Sequence, residues 1–177
     1  MGPLAVAAAG ARTYVADAGN RCIHVFDDRG DFVREIGKSD PDTGFDGLIC
    51  PSAFLDCAPD ADGVLHVTNP GRLRVERYRS DGKLLGHWGE AGEAPQQFTG
   101  CCNPISIALL PGGRVATAEK VVPRVKVYDA KGKMLAYIGP KAFSPDVEGL
   151  DVAADSRGQL YVADPGSGKV HVFALGE

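Results

Sequence analysis

Positive charge is scarce in this sequence. Among its 177 residues, 19 are Lys or Arg and 23 are Asp or Glu, which gives a formal net charge of -4 at pH 7. General binding to nucleic acid normally requires an excess of Lys and Arg to neutralise phosphate groups. The composition therefore argues against a general nucleic-acid-binding protein and leaves only a local basic surface for such binding.

Long apolar runs and helical periods are also absent. The apolar run from Leu4 to Ala9 is far shorter than the roughly 20 residues of a membrane-spanning helix, and no basic leader precedes it. In the internal repeat described below it aligns with Leu150 to Ala154, which favours a strand. We therefore expect no membrane partner, and the sequence assigns no compartment.

The sequence does contain apolar and polar residues that alternate with period two, which is typical of strands with one face against a core. The stretch 97–139 has four short segments of strand character separated by Gly-containing turns: Ile105 to Leu109, Arg114 to Ala118, Arg124 to Tyr128 and Lys133 to Ile138. Four short antiparallel strands in about 40 residues are typical of one blade of a β-propeller.

The same unit recurs through the chain. The segment from Arg124 to Tyr128 has a similar copy 50 residues earlier, Arg74 to Tyr78, and another 45 residues later, Lys169 to Phe173. A further copy near the start of the sequence contains Cys22 to Phe26. The repeats predict an all-β fold, a single β-propeller domain over residues 1–177 with four blades of four antiparallel strands. The blades span approximately residues 3–37, 48–89, 102–139 and 148–176, and the last lacks its outer strand.

Two segments, YVADAGNRCIHVFDDRG at 14–30 and YVADPGSGKVHVF at 161–173, resemble the NHL repeat. PSAFLDCAPDADGVLHVTNPG at 51–71 and FTGCCNPISIALLPGGRVATAEK at 98–120 are further similar to uncharacterised bacterial NHL-repeat proteins. The resemblance covers nearly the whole chain and implies a propeller, typically of six blades, with relatives among lyases, lactonase-like enzymes and RNA- or protein-binding modules. It implies a fold and not a reaction. The chain departs from the repeat at Cys22, where a basic residue is usual.

Four blades are fewer than the six that the resemblance implies. We therefore expect a partial propeller that a second copy or another chain completes, or a piece of a longer protein. Unpaired strand edges at the two ends would favour association. A closed four-bladed ring is the alternative.

Most of the candidate site residues lie in loops that are predicted to emerge on one face of the propeller. This face receives the loop into each innermost strand and the loop between the second and third strands, and we call it the channel-mouth face. Cys50, Cys101 and Cys102 are expected there, where three thiols can bind zinc or reduced copper. The alternatives are a vicinal disulfide between Cys101 and Cys102, or free thiols. Five cysteines without a C-x-x-C spacing favour free or structural cysteines, so no cofactor is expected beyond a weak signal for zinc.

Polar residues on the same face are candidates for contact with an anionic or carbonyl ligand: Asn103, Glu119, Lys120 and Arg124. The alternative is that Glu119 and Arg124 form a cross-strand ion pair, because an acid or amide precedes the start of the third strand by the same interval in every repeat. A local basic surface for a partner is a further hypothesis, formed by Arg72, Arg74, Lys120 and Arg124.

Residues suited to catalysis do not converge in the predicted fold. The four histidines fall on strands and away from the channel mouth, at His24, His66, His87 and His171. Asp56 and Asp151, in or beside innermost strands, are the best candidates for carboxylates facing the channel.

The leading functional prediction is a non-catalytic propeller that binds a protein partner or a small ligand through loops on the channel-mouth face. The first alternative is a metal-dependent lyase or lactonase-like enzyme that uses the thiols or Asp56 and Asp151. The second is RNA binding through basic loops, with an affinity that falls steeply with salt.

Overall fold

The computed structural model describes residues 4–42, 44–145 and 147–174. Within these ranges it contains fifteen strands: β1 (Leu4–Ala9), β2 (Arg12–Asp17), β3 (Cys22–Phe26), β4 (Phe32–Ile36), β5 (Cys57–Pro59), β6 (Leu65–Asn69), β7 (Arg74–Tyr78), β8 (Leu84–Trp88), β9 (Ser106–Leu110), β10 (Arg114–Glu119), β11 (Arg124–Tyr128), β12 (Met134–Ile138), β13 (Asp151–Ala154), β14 (Gln159–Asp164) and β15 (Lys169–Ala174). Three short 3-10 segments complete the elements, at Pro70–Arg72, Pro111–Gly113 and Pro140–Ala142. None of the described helices is long and apolar enough to cross a membrane.

The strands form four antiparallel sheets, each a simple meander arranged as one propeller blade. Blade 1 has the order β1-β2-β3-β4, blade 2 β5-β6-β7-β8, blade 3 β9-β10-β11-β12 and blade 4 β13-β14-β15. The predicted all-β propeller of four blades is therefore confirmed. The described part of blade 4 has three strands, also as predicted.

An Asp and a Gly set the turn between the third and fourth strands of blade 3. Asp129 Oδ1 accepts hydrogen bonds from the backbone N–H groups of Lys131 (2.8 Å) and Lys133 (2.9 Å). Gly132 has a φ of 84°, which glycine adopts without a Cβ clash. A Cβ added there would lie 2.7 Å from Cβ of Trp88 in blade 2. The glycine thus permits both the turn and the close approach of two blades.

Consecutive blades pack through apolar faces and through their innermost strands. Strand β1 contacts β5, β5 contacts β9, and β9 contacts β13. Three buried clusters fill the spaces between blades, with Ile23, Val25, Leu65 and Val67 between blades 1 and 2, Trp88, Phe98, Ile107 and Tyr128 between blades 2 and 3, and Val125, Val127, Leu160 and Val162 between blades 3 and 4. Within the described ranges, no packing of similar extent joins β13 to β1.

Among the described residues, the two faces without a neighbouring blade expose large apolar side chains. On blade 1 the exposed fractions are 54% for Leu4, 66% for Val6 and 58% for Phe32, and on blade 4 they are 61% for Val170 and 53% for Val172. We call these surfaces the outer face of blade 1 and the outer face of blade 4.

The outer face of blade 4 repeats a face that is buried in blade 3. Val170 and Val172 align with Val125 and Val127, which are 0% and 1% exposed beneath blade 4. Large apolar side chains in contiguous exposed patches commonly mark interaction surfaces. Blade 4 therefore exposes to solvent the kind of surface that blade 3 packs against blade 4.

Candidate functional site

The structure brings together the two channel-mouth segments that do not recur in the other blades, residues 100–103 and 120–123. Asn103 Oδ1 accepts a hydrogen bond from the backbone N–H of Lys120 (2.9 Å), and its Nδ2 donates to the carbonyl oxygens of Thr99 (2.7 Å) and Lys120 (3.2 Å). The Asn103 side chain is buried, so these bonds satisfy it internally. The 120–123 loop exposes the side chains of Val121 (79%) and Val122 (41%).

Glu119 lies at the centre of a buried charge cluster. Arg124 donates to it from Nε (3.0 Å) and from Nη2 (2.8 Å), and Lys126 Nζ lies 2.7 Å from its Oε1. The side chains of Glu119 and Lys126 are fully buried, and Arg124 is nearly so. The cross-strand ion pair considered from the sequence is thus formed, with Lys126 as a second cation that sequence reasoning missed.

The cluster also fastens the linker between blades 2 and 3. The N–H of Thr99 donates to Glu119 Oε2 (3.1 Å), and Lys126 Nζ donates to the carbonyl oxygen of Gln97 (2.7 Å). Lys126 Nζ also lies 4.3 Å from the ring centroid of Phe98. Burial lowers the pKa of Lys126 to about 8, although the charge of Glu119 opposes the shift. The cluster accordingly holds blades together, and its charges face protein atoms.

Three of the four residues of the predicted basic surface are neutralised by carboxylates. Arg72 Nη2 lies 2.7 Å from Asp46 Oδ2, Arg74 Nε donates to Glu76 Oε1 (2.8 Å), and Arg124 binds Glu119 as above. The remaining member, Lys120, places Nζ 5.3 Å from the ring centroid of Phe54. Such pairing leaves little free positive charge among these four side chains for phosphate binding.

The three candidate thiols do not form one site. Cys101 Sγ and Cys102 Sγ lie 2.8 Å apart, while Cys50 packs against the apolar cluster between blades 1 and 2. All five cysteines are free thiols. One group of potential metal ligands does come together among the described residues: Cys22, His24 and Glu35. Their ligand atoms all lie within 4.8 Å of one another. The three thiols considered as a possible metal-ligand set are therefore not brought together, and free or structural cysteines remain the prediction.

Asp56 and Asp151 meet at the axis of the propeller, on either side of Ser106. Ser106 Oγ lies 2.9 Å from Asp56 Oδ2 and 2.7 Å from Asp151 Oδ1. The three residues occupy the same repeat position in blades 2, 3 and 4, since their numbers differ by the repeat offsets of 50 and 45. They line a cavity of about 230 Å³, to which the innermost segments of all four blades contribute.

Burial makes the carboxyl group of Asp56 harder to ionise. It raises the pKa of Asp56 to about 6, although hydrogen bonds from Ile107 N–H and the Ser106 hydroxyl oppose the shift. Ser106 has one hydroxyl proton and donates to one carboxyl group at a time. When Asp56 is protonated, it donates to Ser106 Oγ while Ser106 donates to Asp151. The neutral form of Asp56 thus satisfies all three side chains.

We predict that the stability of the protein relative to an Asp56→Asn variant falls as the pH rises from about 4 to about 6. The folded-state pKa of Asp56 lies above the unfolded one, so the folded state binds the proton more tightly and loses that advantage across this window. A shift of about 2 pKa units corresponds to at most about 3 kcal/mol. Denaturant unfolding at several pH values measures the difference, with Asp62→Asn as an exposed control. A parallel pH dependence of the wild type and Asp56→Asn would contradict the prediction.

Comparison with known proteins supports the fold. The chain resembles the solved structures of streptogramin B lyase (TM-score 0.63, 13% identity, 98% of this chain and 55% of that one) and Myxococcus xanthus glutaminyl cyclase (0.63, 14%, 95% and 71%). It also resembles a protein of unknown function from Bacteroides thetaiotaomicron (0.67, 12%, 98% and 47%). No protein-family model and no curated protein matches the chain.

These neighbours are β-propeller proteins and include one lyase and one cyclase. At 12–14% identity the likeness shows the fold alone. The chain spans about half the length of streptogramin B lyase, 55% of it. The comparisons leave the resemblance to the NHL repeat as an expectation from sequence motifs.

Proposed function

We propose that this chain is a non-catalytic β-propeller scaffold that binds further propeller blades through the outer faces of blades 1 and 4. The observation that carries the proposal is the exposure of Val170 and Val172 at positions whose equivalents in blade 3, Val125 and Val127, are buried against the next blade. A surface of the same shape and chemistry recruits the same kind of neighbour.

For this polypeptide by itself, the occupant of these faces is a second copy. Each copy has one outer face on blade 1 and one on blade 4. In a pair related by a two-fold axis, blade 4 of each copy packs against blade 1 of the other. Two arcs of four blades make eight, within the usual range of 4–8 blades for propellers. Such pairing buries the outer faces of blades 1 and 4 in both copies.

The other uses of the fold have weaker support. The axial cavity of about 230 Å³ is smaller than the roughly 300–1,000 Å³ of typical small-molecule sites. His66 and His171 pair with carboxylates of their own blades, at 3.3 Å from Asp60 and 3.4 Å from Asp164. Lyase or lactonase chemistry in the axial cavity would need histidines and carboxylates to converge there. RNA binding would need the arginines that carboxylates neutralise.

Sedimentation velocity across a concentration series tests the proposal. We expect the wild type to form dimers and Val172→Glu to weaken association at least about tenfold, because the variant buries an unpaired charge in an apolar interface. Leu135→Glu is the matched control, since Leu135 has a similar exposure (51%) but lies on the outer strand of an interior blade. A wild type that stays monomeric at every concentration contradicts the proposal, as does equal weakening by the two variants.

A further inference from the structure

Three side chains with metal-binding atoms converge on the outer face of blade 1. Cys22 and His24 are two residues apart on β3 and therefore share one face of the sheet. Glu35 on β4 is the register partner of His24. Cys22 Sγ lies 3.5 Å from His24 Nε2 and 3.8 Å from Glu35 Oε1, and His24 Nδ1 lies 3.5 Å from Glu35 Oε1.

The three side chains each offer one ligand atom within 4.8 Å of the other two, a spacing somewhat wider than that around a tetrahedral zinc ion. Zinc lies about 2.3 Å from sulfur and about 2.0–2.1 Å from nitrogen or oxygen, which places neighbouring ligand atoms roughly 3.3–3.6 Å apart. Cys22 approaches Nε2 of His24 whereas Glu35 approaches Nδ1, so binding one ion requires the imidazole ring or the Glu35 carboxylate to reorient. Cys22 is buried, whereas His24 and Glu35 are partly exposed, so an ion can enter from solvent.

The charge balance of blade 1 differs from that of blades 2 and 3 at this position. Arg74 and Arg124 open the third strand in those blades, where their guanidinium groups bind Glu76 and Glu119. Blade 1 has Cys22 in their place, so the fixed positive charge is missing.

Two carboxylates nevertheless surround His24. Asp17 Oδ2 lies 3.4 Å from His24 Nε2 and Glu35 Oε1 lies 3.5 Å from Nδ1, while the nearest lysine, Lys38, reaches Glu35 Oε2 at 3.9 Å. A divalent cation bound here would supply the positive charge that an arginine supplies in blades 2 and 3.

We propose that Cys22 Sγ, one imidazole nitrogen of His24 and the carboxylate of Glu35 form a binding site for Zn²⁺. Thiolate, imidazole and carboxylate are the ligand types that zinc takes in proteins, and three protein ligands leave a fourth position for water. When the ion takes Nδ1 of His24, Asp17 lies 3.4 Å from the other ring nitrogen, Nε2, and orients the ring, as carboxylates do beside zinc-bound histidines. Binding releases the thiol proton of Cys22 to solvent.

Titration of the reduced, chelator-treated protein with Co²⁺ tests the site. The wild type should bind one equivalent per chain with a thiolate-to-cobalt charge-transfer band, and Zn²⁺ should displace the cobalt and remove the band. Cys22→Ser should abolish the band, and His24→Ala or Glu35→Gln should weaken zinc binding by about 100-fold or more, because losing an outer-shell partner alone typically costs 10–100-fold. The double variant Cys101→Ser, Cys102→Ser is the control and should keep the full band.

Two results overturn the site. One is a wild type that binds less than about a tenth of an equivalent or shows no charge-transfer band. The other is a band that survives Cys22→Ser or disappears in the Cys101→Ser, Cys102→Ser control. The wild-type and control spectra decide the question even when Cys22→Ser does not fold. Stoichiometry per chain is independent of association, so this test and the sedimentation test can fail separately.

Discussion

Replacing Glu119 with Ala is expected to lower the free energy of unfolding by about 3–5 kcal/mol. The change leaves Arg124 and Lys126 buried without their shared carboxylate, and breaking a buried ion pair from one side strands an uncompensated charge. It also removes the acceptor of the Thr99 N–H in the linker. Urea unfolding followed by circular dichroism measures the loss.

Two further variants separate this explanation from a general loss of packing. Adding Lys126→Met to Glu119→Ala should recover part of the stability, because it removes one of the stranded cations. Asp81→Ala breaks the exposed pair with Arg79 and should leave the unfolding midpoint almost unchanged. No recovery in the double variant, or a loss with Asp81→Ala as large as with Glu119→Ala, would contradict the account.

Replacing Phe98 with Ala is expected to cost about 3–5 kcal/mol, as for other large buried aromatics. Phe98 is fully buried, with its ring centroid 6.4 Å from that of Trp88 and 6.1 Å from that of Tyr128. Its removal opens a cavity between blades 2 and 3 and takes away the ring that faces Lys126. Thermal and urea unfolding both report the change.

Leu135→Ala is the control for the Phe98 variant. Leu135 is exposed on β12, so its truncation should change stability by no more than about 0.5 kcal/mol. If Phe98→Ala were as mild as Leu135→Ala, the linker would not be part of the core and the description of the interface between blades 2 and 3 would be wrong.

The fold could be predicted from the sequence because its information is local and repeated. Alternation with period two and constant offsets located the third strand of every blade, and the predicted strand Arg124 to Tyr128 is β11 to the residue. The innermost strand of blade 3 was predicted one residue early, at Ile105 to Leu109 instead of Ser106–Leu110. Strand ends depend on pairing with a neighbour, which a single segment does not reveal.

The buried charge cluster around Glu119 could not be predicted from the alternation of apolar and polar residues. Lys126 alternates with Val125 and Val127, so the pattern places it on the polar side of a strand. In the structure it is fully buried because the linker folds over it, and its hydrogen bond to Gln97 spans 29 residues of sequence. Contacts of this range leave no signal in periodicity.

The sequence points to only one ligand of the proposed zinc site. Cys22 stood out because it replaces a basic residue of the repeat, but its ligand partner Glu35 lies across a hairpin. The register of that hairpin shifts between Val25 and Phe26, so counting residues does not identify the residue opposite His24. The residues at the propeller axis are easier to predict from the sequence, because Asp56, Ser106 and Asp151 share one repeat position.

Hydrogen exchange measured by mass spectrometry across a protein concentration series tests the central claim most directly. If the outer faces are blade-packing surfaces, β1 and β15 should gain protection together as the concentration rises, because both become buried in the same assembly. Strand β12, at the outer edge of an interior blade, should exchange at a constant rate. Exchange in β1 and β15 that stays unchanged at every concentration would contradict the claim that these faces bind further blades.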